Sequence, residues 1–452
     1  MRNATPSEWS YYAGLDEIYH ARWAARALGR LRAFREAVDH FWPKPKGYPV
    51  KVIQVAGTSG KGSTCQFIQS GLQPYGKAGC YVKPHVFDYA ERFVVEGKQL
   101  GHDEILATWN EEIKPYCVRR AMKGEAWEID HPEASILVAM RLFQEHDLEW
   151  AAIETGIGGR YDPVTTLDVV ATVLTNVGRD HEDVLGSEHW QRALEKAGIC
   201  RPGVPLILGD NDRRTVEVVS AVCEDVGTPL YHVDAPMASE VKAALSPGRA
   251  GGPGLLLGSR HQLQNATVAA QTIKVLVKGA SVKVMAQRFA ETRFVGRFWR
   301  VEEGIYADVA HNPSKTQALA EEAELRFPGQ KKVFVIGISG RRSPVDIVEP
   351  FVAQARAVVV TSAGYKGQDP AQVYAALREK HPSLPIHLAP DPQTTLKVAK
   401  NLRRGRETII FTGSTYMIDQ ALNPDERLRH LNATYGWRNE RLRRRAPEPG
   451  PA

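Results

Sequence analysis

The chain has 452 residues, 58 Lys and Arg against 52 Asp and Glu, and 43% hydrophobic residues, the length and composition of a globular protein with two packed domains. A net charge of +6 is too mild at this length to call for a nucleic-acid partner, and no apolar run approaches the ~20 residues that span a bilayer, so no membrane partner is expected. Cys65, Cys80, Cys117, Cys200 and Cys223 form no Cys-x-x-Cys pair, which argues against zinc and a disulfide framework and fits a reducing cytoplasm.

In chain order, the N-terminal stretch MRNATPSEWSYYAG lacks a signal-peptide core. The apolar run 51–56 then reads as a buried strand entering Gly57-Thr58-Ser59-Gly60-Lys61-Gly62-Ser63-Thr64, with a helical stretch after it. Glycines at such a turn let successive backbone N–H groups face one point, where they and the helix N-terminus hold a phosphate. Lys61 supplies a charge for the outer phosphates, and Ser63 or Thr64 a hydroxyl for magnesium. The loop departs from the usual spacing. Gly57 and Gly60 are three apart, Val55 stands where a first glycine is usual, and Gly62 follows the lysine. Further strands are expected at 78–82, 150–154, 168–175 and 204–208. A second series follows at 304–309, 332–338, 356–361 and 406–411, with helices between, such as Lys315–Phe327 and Pro370–Lys380. This rhythm predicts an α/β protein with parallel sheets and helices on both faces. The Gly/Pro-rich stretch 247–257 reads as a turn or short loop. The joint between domains is expected at Thr292–Arg297, giving a larger domain at 1–295 and a smaller one at 296–436. Residues 437–452 form a basic, Pro-rich tail that reads as a solvated, disordered extension. In such folds ligands bind at the carboxyl ends of the strands, so the active site is expected in a cleft between the domains.

Four other segments carry chemistry. Trp150–Glu154 is a strand that ends in a carboxylate and runs into a glycine-rich stretch, so Glu154 is either a magnesium ligand or a helix cap. Thr175–His181 is another strand end, with His181 either a metal or phosphate ligand or a structural residue. Lys196 ends a helical pattern. By itself it reads as a surface lysine paired with an acid, but near bound metal its amine can take up carbon dioxide as a carbamate. Finally, Gly296-Arg297 and Ala307–Pro313 place Asp308 and His311 before an Asn-Pro turn that starts a helix.

Together VAGTSGKGST, ETGIGGRYD, TNVGRDH, EKAGI, HQLQNA, GRF, DVAHNP and TGSTY resemble the folylpolyglutamate synthase / dihydrofolate synthase family, relatives of the Mur ligases, from about Leu28 to Gln420. The folate branch is also suggested by Pro84-His85, Glu91-Arg92 and Glu96-Gly97. The segment before the phosphate loop, Met1 to Pro49, is at the low end of domain size, where Mur ligases on cell-wall precursors carry a separate domain. The resemblance implies a P-loop ATPase domain and a smaller Rossmann-like C-terminal domain. Gly57 to Thr64 would hold the ATP phosphates, with Lys61 on the outer ones. Ser63, Glu154, His181 and a carbamylated Lys196 would hold magnesium. Asn265 and Arg297 match nucleotide contacts, Asp308 lies where the family binds ATP from the second domain, and His311 matches its interdomain histidine.

Departures from the family lie away from the phosphate loop. Lys83 replaces the serine of a Ser-Pro-His motif, Asp88 stands where a basic residue is common, Gly340–Ser343 replaces an Asp-Lys-Asp-like loop, and Asp308-Val309-Ala310 replaces Asp-Gly-Ala. A charged lysine cannot ligate metal. At an effective dielectric of ~20, an ammonium and a divalent ion ~4 Å apart repel by roughly 8 kcal/mol. Lys83 is therefore expected either to contact the phosphates itself or to turn aside while water completes the metal shell. The implied reaction activates a small-molecule carboxylate as an acyl phosphate and joins it to an amino acid. Glutamate onto a folate is the first expectation, in a cytoplasmic monomer. The alternatives are the same chemistry on a non-folate acid and amine, or a P-loop switch or scaffold that ligates nothing.

Overall fold

A computed structural model of the protein describes residues 27–122, 129, 131–245, 260–340, 342–363 and 367–429. The chain divides into two compact units. One takes in the described residues up to Pro84 and from Ala90 to Thr292; the other takes in His85–Tyr89 and the described residues from Arg293 on.

The first unit holds an eight-stranded sheet. Its strands are β1 (Lys51–Ala56), β2 (Ala78–Tyr81), β3 (Phe93–Val95), β4 (Lys98–Gln99), β5 (Trp150–Glu154), β6 (Val169–Leu174), β7 (Leu206–Leu208) and β8 (Leu230–His232), in the order β4-β3-β2-β5-β1-β6-β7-β8. The β2-β5-β1-β6-β7-β8 run is parallel, while β3 and β4 fold back antiparallel on one edge. Central β5 is buried along its whole length and β1 at all but its first residue, as strands covered on both faces must be. Helix Lys61–Leu72 packs against helices Arg260–Leu276 and Val282–Glu291, with Phe67 edge-on to Phe289 at 5.1 Å between centroids.

The second unit holds β9 (Trp299–Glu302), β10 (Ile305–Ala307), β11 (Lys332–Gly337), β12 (Ala355–Thr361), β13 (Ile386–Leu388) and β14 (Thr408–Thr412), in the order β13-β12-β11-β14-β10-β9. All neighbours are parallel except β9, which is antiparallel to β10. Alternation along β11 splits the core: Phe334 and Ile336 join Phe351 and Ile410 on one face, and Val333 and Val335 join Phe411 and Met417 on the other. A side chain such as Phe334, fully buried, contributes about 1.5–3 kcal/mol.

Two differences from the sequence reading stand out. The expected 1–295 block loses His85–Tyr89 to the second unit, where Val86 and Phe87 join the Val309 and Phe411 core and Phe87 lies 5.3 Å from the Trp299 ring. Apolar burial decides this, against chain order. Strands β3, β4, β8, β9 and β13 were not anticipated. They are two to four residues long and lie at or beside sheet edges, too short to stand out as strands in the sequence. The 247–257 stretch and the 437–452 tail lie outside the described residues. No helix among the described residues is long and apolar enough to cross a membrane.

Candidate functional site

Three neighbouring strands deliver their carboxyl ends to one edge of the first sheet. Register sets Val55 beside Glu154 and Ala56 beside Leu174, and the pairing runs on past the strands: Thr155 N donates to Val55 O and Thr175 N to Ala56 O, both at 2.9 Å. The loops starting at Gly57, Thr155 and Thr175 therefore begin side by side, where open parallel sheets bind ligands.

The glycine loop is built around its own backbone. Gly60 (φ +81°) precedes helix Lys61–Leu72, and a Cβ there would stand 2.2 Å from Asn265 Oδ1. Gly57 (φ +143°) leaves no more room, since a Cβ would fall 1.9 Å from Thr175 Oγ1. The extra glycine after the lysine also has a reason: a Cβ on Gly62 would press to 3.1 Å from Glu154 Oε2. Lys61 curls back, its Nζ donating to Gly57 O at 3.0 Å and standing 4.0 Å from Glu154 Oε1. The first amides of any helix lack intrahelical acceptors, which leaves those after Gly60 disposed toward an anion.

The Thr175–His181 segment holds this loop in place. Thr175 Oγ1 donates to Ser59 O at 2.7 Å, Asn176 Oδ1 accepts from Ser59 N at 3.0 Å, and Gly178 N donates to Thr58 Oγ1 at 2.9 Å. Farther along, His181 takes a left-handed conformation (φ +52°) and starts the short helix Glu182–Leu185, with its side chain 42% exposed.

Glu154 is buried to 5% exposure and accepts from Lys83 N at 2.8 Å. The glycine run beyond it is closed by Asp162, which accepts from Gly156 N at 2.7 Å and Val164 N at 3.0 Å. Arg160 N donates to Glu195 O at 3.0 Å, so this run touches the last turn of helix His189–Ala197, which carries Lys196. Lys196 is 4% exposed, which removes the surface-lysine reading. The Lys83 ammonium lies 5.7 Å from the Tyr81 ring centroid and near Gly156, where a Cβ would fall 3.4 Å from it.

Two hydroxyls of the glycine loop and the helix after it, Ser59 Oγ and Thr64 Oγ1, are buried without a hydrogen-bond partner. Ser63 Oγ has a long contact of 3.4 Å from Gln262 Nε2, and Gln262 Oε1 accepts from Asn265 Nδ2 at 3.1 Å. Unpartnered hydroxyls on the same segment as an ammonium that faces buried Glu154 are of the donor types that hold a metal and a phosphate, and these residues fit such a ligand. Among the described residues no three His, Cys, Asp or Glu side chains gather as a metal cluster of their own. Gln262 and Arg192 were not singled out from sequence. Buried Arg192 donates to the carbonyls of Gly178, Gly186 and Ser187 at 3.0, 3.0 and 2.6 Å, tying both ends of the loop that holds His181.

In the second unit, half-buried Asp308 accepts from Phe298 N and Ala310 N, both at 2.8 Å. Burial raises its carboxyl above the ordinary range, opposed by the nearby Arg297 charge. His311 Nδ1 lies 2.7 Å from Val309 O and its Nε2 3.2 Å from Lys315 Nζ, a pairing that suits a neutral ring donating through Nδ1 and accepting at Nε2. Beyond β11 and β14, Ser339 Oγ and Ser414 Oγ pair at 2.7 Å, and Arg342 donates to Ser339 O at 2.8 Å.

Residues 296–415 match the family described as Mur ligase, glutamate ligase domain. Over 412 residues the chain is 26% identical to the dihydrofolate synthase/folylpolyglutamate synthase of Bacillus subtilis, covering 86% of this chain and 93% of that one. Its fold is similar to Mycobacterium tuberculosis folylpolyglutamate synthase complexed with ADP and AMPPCP (TM-score 0.80, 22% identity, 92% and 98% of the two chains). It is also similar to the Yersinia pestis bifunctional folylpolyglutamate synthase/dihydrofolate synthase complexed with AMPPNP and Mn ion (TM-score 0.74, 22% identity, 96% and 99%). Along most of its length the chain is similar to folylpolyglutamate synthase / dihydrofolate synthase proteins, and its second unit carries the match to the Mur ligase glutamate ligase domain.

Proposed function

We propose that the protein joins glutamate to a folate carboxylate at the expense of ATP. The observation that carries this reading is the shared strand edge, where a glycine loop brings its lysine to 4.0 Å from a buried carboxylate. A carboxylate does not condense with an amine in water without activation. In the proposed reaction a substrate carboxylate oxygen attacks the γ-phosphorus, the bond to the ADP oxygen breaks, and an acyl phosphate forms. The amine nitrogen of glutamate then attacks the acyl carbon and loses a proton, and phosphate leaves with the electron pair of the C–O bond.

In this reading the amides of Gly57 to Thr64 hold the phosphates, and Lys61 offsets the charge that spreads over the transferring phosphoryl oxygens. Thr175 and Asn176 fix the loop so that its amides need no reorganisation when that charge develops. Ser63, Glu154, His181 and Lys196, the last as a carbamate, are the proposed holders of magnesium. The ion when bound supplies further charge neutralisation. Burial of Lys196, on a helix whose last turn meets the glycine run after Glu154, supports the carbamate over a solvent-facing surface lysine. Asn265, Arg297 and Asp308 are proposed nucleotide contacts and His311 a catalytic one. Cysteines kept as thiols support a cytoplasmic setting, and we take the working form as a monomer.

The test is ADP release by the full chain with MgATP, a panel of folates and other acids, and a panel of amino acids, with products read by mass spectrometry. ADP release that needs both a folate and glutamate, with the product heavier by one glutamyl residue, is expected. Turnover on a non-folate acid alone would move the chain to another ligase specificity. Nucleotide binding with no product from any pair would leave it a switch.

A further inference from the structure

Two thiols lie together away from the phosphate-binding edge. Cys200 follows helix His189–Ala197, Cys223 lies near the end of helix Arg213–Val226, and their Sγ atoms are 3.8 Å apart. The two helices pack on one another. Cys223 lines a surface cleft of about 470 Å³ with Ser220, Glu224, Thr228 and Leu230, an entry wide enough for a small oxidant. Disulfide sulfurs stand about 2.05 Å apart, so bonding asks for less than about 2 Å of closure.

The surroundings give the two sulfurs different work. The Cys200 thiol is held below its ordinary value by the Cys223 hydrogen bond first, with Thr228 and the Arg201 charge adding to it against burial. Cys223 is pushed up by the same contact and by burial. Burial, with the Glu154 charge adding, pushes the Cys65 and Cys80 thiols up, and burial pushes Cys117 up to about 12. The thiolate is the form that reacts.

We propose that Cys200 and Cys223 form an oxidation site at which hydrogen peroxide converts the pair into an intramolecular disulfide. The Cys200 thiolate attacks one peroxide oxygen, the O–O bond breaks, and hydroxide leaves, giving a sulfenic acid. The Cys223 sulfur then displaces the hydroxyl from Cys200, and the two thiol protons end in water. The sum is two thiols and one peroxide to one disulfide and two waters, a two-electron oxidation. The bridge spans a sequence separation of 23 and ties the chain just beyond Lys196 to the neighbouring helix.

The test uses the full chain under graded hydrogen peroxide, alkylation of the remaining thiols after unfolding, and peptide mapping without reductant. A Cys200–Cys223 crosslinked peptide pair, lighter by two hydrogens and released by dithiothreitol, is expected at doses that leave Cys65, Cys80 and Cys117 alkylated. In Cys223→Ser, dimedone should trap a sulfenic acid on Cys200; in Cys200→Ser, the same dose should leave Cys223 unmodified. Recovery of both thiols alkylated, or a crosslink to another cysteine, overturns the site. Dimedone on Cys223 in preference to Cys200 overturns the assigned roles. The wild-type map stands without either variant, and it does not depend on which acid the ligase uses.

Discussion

Gly60→Ala probes the glycine loop and its proposed phosphate role without removing any functional group. An alanine held at φ +81° costs about 1–2 kcal/mol, because its Cβ meets the following carbonyl oxygen. The new Cβ would also stand 2.2 Å from Asn265 Oδ1, so that side chain must move and surrender its bond to Gln262, worth about 0.5–1.5 kcal/mol. Together these come to about 1.5–3.5 kcal/mol, or roughly a 10- to 400-fold change in an equilibrium constant. The strain can be carried by the folded protein or released by a loop that no longer binds nucleotide. Urea denaturation without nucleotide and calorimetric titration with MgADP should therefore sum to that figure. Adding Asn265→Ala should remove the steric part and leave the conformational part, a coupling of about 1 kcal/mol between the two sites. Unchanged urea midpoint and unchanged ADP affinity in Gly60→Ala would refute the loop conformation; strict additivity in the double variant would refute the Asn265 contact.

Lys61→Ala should fold normally and lose about 10²–10³ in turnover, the usual cost of removing one preorganised charge-stabilising group, as read by coupled ADP release. Lys196→Ala should lose activity and regain part of it with millimolar acetate, a carboxylate in place of the missing carbamate; no gain at any acetate concentration would count against the carbamate. Arg192→Met should cost about 2–4 kcal/mol in urea denaturation, since it strands the carbonyls of Gly178, Gly186 and Ser187. Acidification should expose the ion pair of Arg356 and Glu407, whose hydrogen bonds hold the Glu407 carboxyl below its ordinary value of 4.5. A depressed carboxyl contributes stability above its unfolded value and loses it as pH falls through the folded one. The advantage of wild type over Glu407→Gln, followed by thermal denaturation, should therefore be full near neutrality and shrink below about pH 4.5.

Sequence by itself determined what depends on neighbours along the chain. Continuous apolar runs marked β1, β5, β6, β11, β12 and β14 because a strand covered on both faces must be apolar throughout. The glycines of the phosphate loop were legible because only glycine meets the backbone angles found at Gly57 and Gly60. Glu154 was legible as a carboxylate at a strand end. Tertiary structure alone decided which of these distant pieces meet. Ser59 is gripped by Thr175 and Asn176 from 116 and 117 positions away because β6 lies beside β1, an adjacency that no periodicity encodes. Burial of Lys196 required its helix to end against the glycine run after Glu154. The transfer of His85–Tyr89 to the second unit followed from where Val86 and Phe87 find apolar cover. Periodicity records how much of a segment is hidden and what its backbone must do; strand order and register, set by the whole chain at once, choose the partner that hides it.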